Sequence, residues 1–354
     1  MLNFFKSRRV LLRDVKNVFI LLPDGLGDLV YWLPVIKFLT HRNKNVSIFY
    51  PSSSLVMDPL CGPGQVNTDN VHYVDAIPEQ TDLVLMLNDN ESQINLFKEQ
   101  LLNVPVRVGI YGGKHRDKFL THKIKFRFLK KPRHERDRNL ELLSIFDYEH
   151  DESYCNNVNL NLPPESDPGQ SSNYVVLHPF SNGHGREWPS SSFVELIEIL
   201  QNNRIHVYVT GGSGEIGKID LLLDQLKNSR GVFNLAGALS LRELMNLLGK
   251  AKAVVAASTG PLHIAAQLGV PTLGIYAPKK GLNPERWGPL GLNAYAVSLK
   301  KCRSSSCSND ECACVKAIKA EDIFDSISQL ICGDFPKINR SRKKDIYDIW
   351  QGAS

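Results

Sequence analysis

Short apolar segments rich in β-forming residues alternate with helical segments along this 354-residue chain, and this alternation is what most constrains its fold. In the first half the pattern predicts strands at 17–23, 45–51, 81–89 and 105–112, with helices between them. Because these strands are apolar almost throughout, both faces of their sheet must be covered. The sequence therefore predicts an α/β fold with parallel sheets between helices.

One polar segment interrupts the alternation. Residues 151–172 are rich in Pro, Asn and Ser, as linkers are, and the strand–helix pattern restarts after them. The chain also exceeds the usual size of a single core. We therefore expect a Rossmann-like domain over 1–165, a second one over 166–330, and a basic C-terminal tail over 331–354. Two such domains are expected to face a cleft, with ligands at the carboxyl ends of the strands.

The composition is that of a globular protein in a reducing compartment. Hydrophobic residues make up 42% and charged residues 22% of the chain, which is ordinary for a soluble domain. No apolar run reaches the roughly 18 residues of a membrane-spanning helix. The start, MLNFFKSRRVLLRDVK, lacks the apolar core of a secretory signal. These features predict a cytoplasmic protein.

Four of the seven cysteines crowd into one segment, CRSSSCSNDECAC. They are Cys302, Cys307, Cys312 and Cys314. Their spacing differs from the paired C-x2–4-C arrangement of common zinc sites. We therefore expect reduced thiols and no metal, with a structural zinc as the alternative.

Positive charge is concentrated in one window. Residues 107–138 hold twelve Lys or Arg against three Asp or Glu, although the whole chain has a formal net charge of only +5. Such a region is typical of a surface that meets an anionic partner, which here is nucleic acid, an anionic membrane or a phosphorylated substrate. A solvated basic face without a partner is the alternative.

The segment VVAASTGPLHIAAQLG predicts a helix that begins at a small, uncrowded turn. Thr259 or Gly260 caps the helix, and Pro261 lies in its first turn, where a missing N–H costs nothing. Free backbone N–H groups and the positive end of the helix dipole make this start an anion site suited to phosphate. His263, one turn on, is either a further donor to that anion or an ordinary core histidine.

A second strand-to-helix turn carries a carboxylate. In LLPDGLGDLVYWLP, Gly25 and Gly27 permit a tight turn, and Asp28 starts the next helix. Asp28 lies after the first strand, where a general base for a hydroxyl substrate is expected. The alternative is a capping residue of the first helical turn.

Two further loops follow predicted strands. LHPFSNGHGREWP carries Ser181 and Arg186, and the guanidinium of Arg186 is a natural clamp for a diphosphate. VTGGSGEIG contains the G-x-G-x-x-G pattern of dinucleotide sites, but Asn234 stands in the next strand where an NAD site needs an acid. We therefore expect Glu215 to hold a ribose instead.

Taken in order, these segments resemble glycosyltransferase family 9, the ADP-heptose:lipopolysaccharide heptosyltransferases. The similarity spans about residues 17 to 295. The segments that carry it are DGLGDLVYWLP, HPFSNGHGREWP, VTGGSGE, NLAGALSLRELMNLLGKA, STGPLHIAAQLGVPTLGIYAP and RWGPLG.

The resemblance implies a GT-B fold and an inverting transfer without a metal or other cofactor. The first domain would bind the acceptor, and the second would bind a nucleotide sugar, by family default ADP-heptose. Asp28 matches the proposed general base, and Glu215 matches the acid that holds the nucleoside. The positions that match contacts to the donor phosphates are Ser181, Arg186, Thr259, Gly260 and His263.

The resemblance also gives the basic window a partner, an anionic lipid-linked glycan acceptor of the lipopolysaccharide-core type, rather than nucleic acid. The cations assigned to it are Lys114, Arg116, Lys118, Lys123, Lys125, Arg127, Lys130 and Lys131. Phe119, Phe126 and Phe128 lie among these charges, and the amphipathic start LNFFKSRR is a weak interfacial anchor. We therefore expect peripheral contact with the cytoplasmic face of the inner membrane.

One position departs from the family. Many members carry Asp-Thr-Gly where this chain has Ser258-Thr259-Gly260. The loss of a carboxylate leaves the donor sugar open. The alternatives are a transferase with another nucleotide-sugar donor, a member that binds without catalysis and, less favoured, an NAD-dependent oxidoreductase or epimerase.

Overall fold

The computed structural model describes residues 10–23, 25–51, 68–87, 89–125, 134–146, 173–181, 183, 185–302, 312–334, 336 and 347–351. The chain divides into two compact units, residues 1–158 and 159–354. The predicted linker at 151–172 lies outside the described residues. Each unit is built around one sheet.

The first unit holds a parallel sheet with the strand order β3-β2-β1-β4-β5-β6. Its strands are β1 (Asn17–Leu21), β2 (Asn45–Phe49), β3 (Val71–Tyr73), β4 (Leu83–Met86), β5 (Val106–Ile110) and β6 (His122–Ile124). The helices described here are α1 (Leu26–Thr40), α2 (Glu91–Leu96), α3 (Lys98–Asn103) and α4 (Glu135–Glu141). Helix α1 buries nearly every side chain from Leu29 to Thr40, as a helix inside a core does.

The second unit holds a larger sheet with the order β13-β12-β11-β10-β7-β8-β9. Its strands are β7 (Tyr174–His178), β8 (His206–Val209), β9 (Val232–Asn234), β10 (Ala253–Ala256), β11 (Thr272–Ile275), β12 (Ala294–Leu299) and β13 (Tyr347–Gln351). Among the strands described, only β13 pairs antiparallel, and it lies in the segment predicted as a basic tail. The helices are α5 (Ser190–Asn202), α6 (Ile216–Leu223), α7 (Leu241–Gly249), α8 (Gly260–Gln267), α9 (Pro284–Trp287), α10 (Ala313–Lys316) and α11 (Ala320–Ile331).

Strand order reverses once in each sheet, and this fixes where loops converge. β1 lies between β2 and β4, and β7 lies between β8 and β10. The chain therefore builds outward on one side of the first strand and then returns to build on the other. Loops that leave the carboxyl ends of the central strands diverge there, which is where such sheets bind ligands.

Candidate functional site

Three loops of the second unit begin at one edge of its sheet. His178, the last residue of β7, pairs with Ala256, the last of β10, and Leu177 pairs with Val209, the last of β8. All three strands are parallel, so the loops at 179–188, 210–215 and 257–260 leave from the same edge.

Helix α8 begins as the sequence predicts. Thr259 is its N-cap residue in extended conformation, and its side chain makes no capping hydrogen bond. The Thr259 Oγ1 atom is buried and has no hydrogen-bond partner among the described residues. A buried hydroxyl without a partner costs free energy, and here it lies beside the free amides of a helix start. An anion at this point would satisfy both groups.

His263 is 3% exposed, which is the burial expected of a core histidine. Its backbone N–H donates weakly to the Thr259 carbonyl oxygen at 3.4 Å. The structure thus places His263 in the buried first turn of α8, and its contact with the donor phosphates stays a prediction.

The Ser258 side chain contacts that of Tyr276, the residue that follows β11. The Tyr276 phenol donates its only proton to the Trp287 carbonyl oxygen at 2.6 Å and also hydrogen-bonds the Ser258 side chain. Ser258 must therefore be the donor in that second bond, which leaves its oxygen as an acceptor. Burial raises the pKa of Tyr276, so the phenol keeps its proton at physiological pH.

The loop after β7 is fixed by its own polar groups. The Ser181 N–H and hydroxyl both donate to Glu187 Oε1, at 2.9 and 3.3 Å, and the Gly185 N–H donates to Ser181 Oγ at 3.0 Å. A Cβ at Gly185 would lie 3.7 Å from the Ser258 Cβ, so this loop packs against the turn that precedes α8. Arg186 lies between Gly185 and Glu187. Sequence reasoning missed Glu187, whose role depends on this loop closing on itself.

Glu215 is buried at the end of the loop after β8. Its Oε2 accepts the Gly212 N–H at 2.9 Å and lies 3.9 Å from His178 Nε2. The carboxylate predicted to hold a ribose therefore already stabilises its own loop. The other ring nitrogen of His178, Nδ1, is 3.0 Å from Thr210 Oγ1.

The buried His178 predicts a pH dependence of stability. Burial lowers the pKa of His178 to about 4, against the opposing effect of Glu215. Between pH 6.5 and 4 the unfolded chain binds a proton that the folded chain does not, so stability falls as the pH falls. From pH 7 to pH 5 we expect a loss of about 2 kcal/mol in the free energy of unfolding from this group.

Urea denaturation of the wild type and of His178→Asn at both pH values measures this contribution. The asparagine amide lies near the Nδ1 position and does not titrate. The decrease from pH 7 to pH 5 should be smaller in the variant by that amount. Equal decreases in the two proteins would contradict a neutral, buried His178.

In the first unit, Asp28 lies in the first turn of α1, just after β1. Gly25, the N-cap residue, has φ +155°, and a Cβ there would lie 2.7 Å from Asp28 Oδ2. The carboxylate therefore folds back over Gly25, whose positive φ is a conformation that L side chains rarely adopt. Asp28 is partly exposed, so it is accessible to solvent at the carboxyl edge of the first sheet.

A second carboxylate, Asp89, follows β4 and was missed from the sequence. It accepts the backbone N–H groups of Lys114, His115 and Arg116 at 2.7, 3.0 and 2.7 Å. Burial alone would raise the pKa of Asp89, but these three hydrogen bonds, with the Arg116 charge, hold it below its usual value. Asp89 thus fixes the turn at the start of the basic window.

Arg116 corrects the predicted acceptor surface. Its side chain is buried, and its guanidinium donates to the Leu87 carbonyl oxygen and, at 2.6 Å, to that of Ile110. Arg116 therefore ties β4 to β5 instead of facing a ligand. Phe119 is likewise buried in the core of the unit.

The other seven cations assigned to the acceptor divide into two groups. Those exposed in the structure are Lys114, Lys118, Lys123 and Lys125. Those outside the described residues are Arg127, Lys130 and Lys131. Phe126 and Phe128 are outside them too.

The cysteine segment is described only in part. Cys302 Sγ lies 3.9 Å from Cys314 Sγ, Cys312 is buried, and Cys307 lies outside the described residues. Within the part of the chain that is described, no three His, Cys, Asp or Glu side chains are grouped as metal ligands. No described helix has the length and apolar character that a bilayer crossing requires.

Comparison with known proteins gives a family and a fold. Residues 83–318 match glycosyltransferase family 9 (heptosyltransferase). Lipopolysaccharide heptosyltransferase 2 of Salmonella typhimurium is 28% identical over 119 residues, 33% of this chain and 33% of that protein. The alignments to this and two other curated relatives span about a third of the length of each.

Solved structures resemble nearly the whole chain. E. coli ADP-heptose lps heptosyltransferase II has a TM-score of 0.67 at 17% identity, over 90% of this chain and 99% of that one. An E. coli heptosyltransferase solved with ADP has a TM-score of 0.63 at 17% identity, over 89% and 99%. At this identity the likeness shows the fold alone, and the predicted GT-B fold is confirmed.

Proposed function

The chain belongs to glycosyltransferase family 9, and from this premise we propose that it transfers heptose from ADP-heptose to an anionic, lipid-linked glycan of the lipopolysaccharide-core type. The transfer is inverting, so the acceptor hydroxyl displaces ADP from the anomeric carbon in one step. The bond to the β-phosphate oxygen breaks as the new glycosidic bond forms.

The start of α8 carries this proposal. A departing diphosphate develops negative charge on its phosphate oxygens, and donors already in place stabilise that charge. The buried, unpartnered Thr259 hydroxyl and the free amides of the helix start are such donors. Arg186 lies on the loop after β7, which the hydrogen bonds of Ser181 hold in place. It adds a positive charge and a fork of N–H groups. These groups supply positive potential without a metal ion.

Asp28 is the proposed general base. As the acceptor hydroxyl attacks, its proton passes to the Asp28 carboxylate, which Gly25 leaves room for. Ser258 is proposed to accept a hydrogen bond from the donor sugar, because its own proton is directed to Tyr276. Glu215 is the proposed nucleoside contact, and it shares its carboxylate with Gly212.

The exposed lysines of the basic window are proposed to contact the acceptor. Lys114, Lys118, Lys123 and Lys125 lie around the edge strand β6 and the turn before it. Acidic groups on a lipid-linked acceptor would be attracted to these lysines, and salt would weaken that attraction. This proposal places the protein in the cytoplasm, in peripheral contact with the inner membrane.

Calorimetry with ADP, UDP, GDP, CDP and NAD, in the presence of EDTA, tests the proposed donor. We expect ADP to bind with at least about tenfold higher affinity than the other four, because the nucleoside contacts discriminate bases and the diphosphate contacts need no metal. Addition of Mg²⁺ after EDTA removal is the control for metal dependence.

Each other outcome changes a different part of the proposal. Preference for another nucleoside diphosphate would remove ADP-heptose as donor and keep the diphosphate site. Binding of ADP only with Mg²⁺ would contradict the metal-independent site. Binding of NAD in preference to all nucleoside diphosphates would overturn the proposed function.

A further inference from the structure

A cavity of about 650 Å³ lies in the second unit at the edge of the sheet opposite the donor loops. His206 begins β8 and Gly231 precedes β9, so the cavity is at the amino-terminal ends of these strands. A whole strand, roughly 13 Å for four residues, separates it from the carboxyl edge. Its lining is Glu198, Gln201, Asn202, Arg204, Ile205, His206, Lys227, Asn228, Arg230 and Gly231.

Cations outnumber anions in this lining. The lining holds three cations, Arg204, Lys227 and Arg230, and one carboxylate, that of Glu198, which lies 3.6 Å from Lys227 Nζ. Both arginines are exposed and form no ion pair with any described residue. The cavity therefore has an excess of two positive charges, which a doubly charged anion would balance.

Backbone oxygens around the cavity are already hydrogen-bonded. Gln201 Nε2 donates to the carbonyl oxygens of Asn228 and Arg230 at 3.0 and 2.8 Å. Asn173 Nδ2 donates to the Arg204 carbonyl oxygen, and the Arg230 N–H donates to Asn228 Oδ1, both at 2.9 Å. These bonds hold the segments that line the cavity and occupy three backbone carbonyl oxygens that would otherwise repel an anion.

Arg204 occupies a conformation that arginine disfavours. Its φ is 58°, just after the end of α5, with its N–H bound to the Gln201 carbonyl oxygen at 2.9 Å. Glycine or asparagine is usual in this helix-ending position, and Asn43 occupies it at φ 55° after α1. These are the two non-glycine residues with positive φ among those described. Residues in this conformation are enriched at functional sites.

We propose that this cavity binds a small molecule carrying a phosphate monoester, through Arg204, Arg230 and Lys227. A phosphate monoester carries about −1.5 to −2 charge at pH 7, which matches the excess of two positive charges. Arginine forks suit phosphate oxygens, and the volume is within the range of small-molecule sites. The site is separate from the donor site and does not depend on the proposed transfer reaction.

Calorimetry with glucose 1-phosphate and with inorganic phosphate tests the site in the 354-residue chain. The pocket variants are Arg204→Gly and Arg230→Gln. Arg204→Gly suits the positive φ, so it removes the guanidinium without a cost in folding, and thermal unfolding checks that Tm is not lowered. Arg242→Gln, on the exposed face of α7, is the charge-matched control, and Arg186→Gln reports on the donor loop.

We expect each pocket variant to bind glucose 1-phosphate about tenfold or more weakly than wild type, with Arg242→Gln unchanged. Weaker binding in Arg186→Gln alone would place the probe in the donor loop and would overturn the proposal. Vesicles containing phosphatidic acid form a second arm. Loss of vesicle binding in the pocket variants, without glucose 1-phosphate binding, would identify a lipid phosphate as the source. Affinities within threefold of wild type for both pocket variants, or no binding of any probe, would overturn the proposal.

Discussion

Replacement of Asp28 by asparagine is expected to lower kcat for heptose transfer by about 10²- to 10⁴-fold, the usual contribution of a general base. Asparagine keeps the shape of the side chain and removes its ability to accept a proton. The affinity for ADP should stay within about twofold, because the donor contacts proposed above lie on other residues. Steady-state kinetics with both substrates, together with ADP calorimetry, measures the two effects separately.

Two comparisons show whether the effect belongs to the carboxylate. Asp14→Asn, an exposed acid before β1, should keep wild-type kinetics. Gly25→Ala keeps the carboxylate but sets a methyl carbon within 2.7 Å of its present oxygen position, so kcat should also fall. A kcat for Asp28→Asn within threefold of wild type would contradict the assignment of Asp28 as the base.

The architecture follows from the sequence because it depends on local patterns. The apolar segments at 17–23 and 45–51 became β1 and β2, with the last residues leaving the strand to begin turns. The three-residue edge strands β3 and β6 were missed, because each is too short for an apolar pattern and is formed by pairing with a neighbour. Pairing of β13 with β12 joins residues about fifty positions apart, which no local pattern reveals.

The candidate site was likewise predicted where it depends on neighbouring residues and missed where it depends on contacts between distant segments. The free helix start at Thr259 was predicted, because its cap, proline and glycine are neighbours in sequence. The contact of Ser258 with Tyr276 was not, because it depends on β10 and β11 lying side by side. Arg116 was assigned to the surface from charge alone, while its burial depends on carbonyl groups at the ends of two strands. A charge pattern gives the sign of a region but not which side chains face outward.

Replacement of Arg186 by glutamine is expected to lower kcat/KM for ADP-heptose by about 10²- to 10³-fold, as removal of one preorganised donor to a developing anion does. The loop that carries Arg186 is fixed by the bonds of Ser181 to Glu187 and Gly185. The backbone that carries Arg186 therefore needs little reorganisation when the diphosphate departs. Initial-rate kinetics at varied donor concentration measures the effect.

A comparison of ADP with adenosine is the matched control for Arg186→Gln. ADP carries the diphosphate and adenosine does not, so Arg186→Gln should weaken ADP binding and leave adenosine binding unchanged. Arg186→Lys, which keeps the charge but loses the fork of donors, should give an intermediate kcat/KM. Equal weakening of ADP and adenosine would mean that Arg186 shapes the loop and does not contact phosphate. In that case the start of α8 would be left as the principal site for the leaving diphosphate.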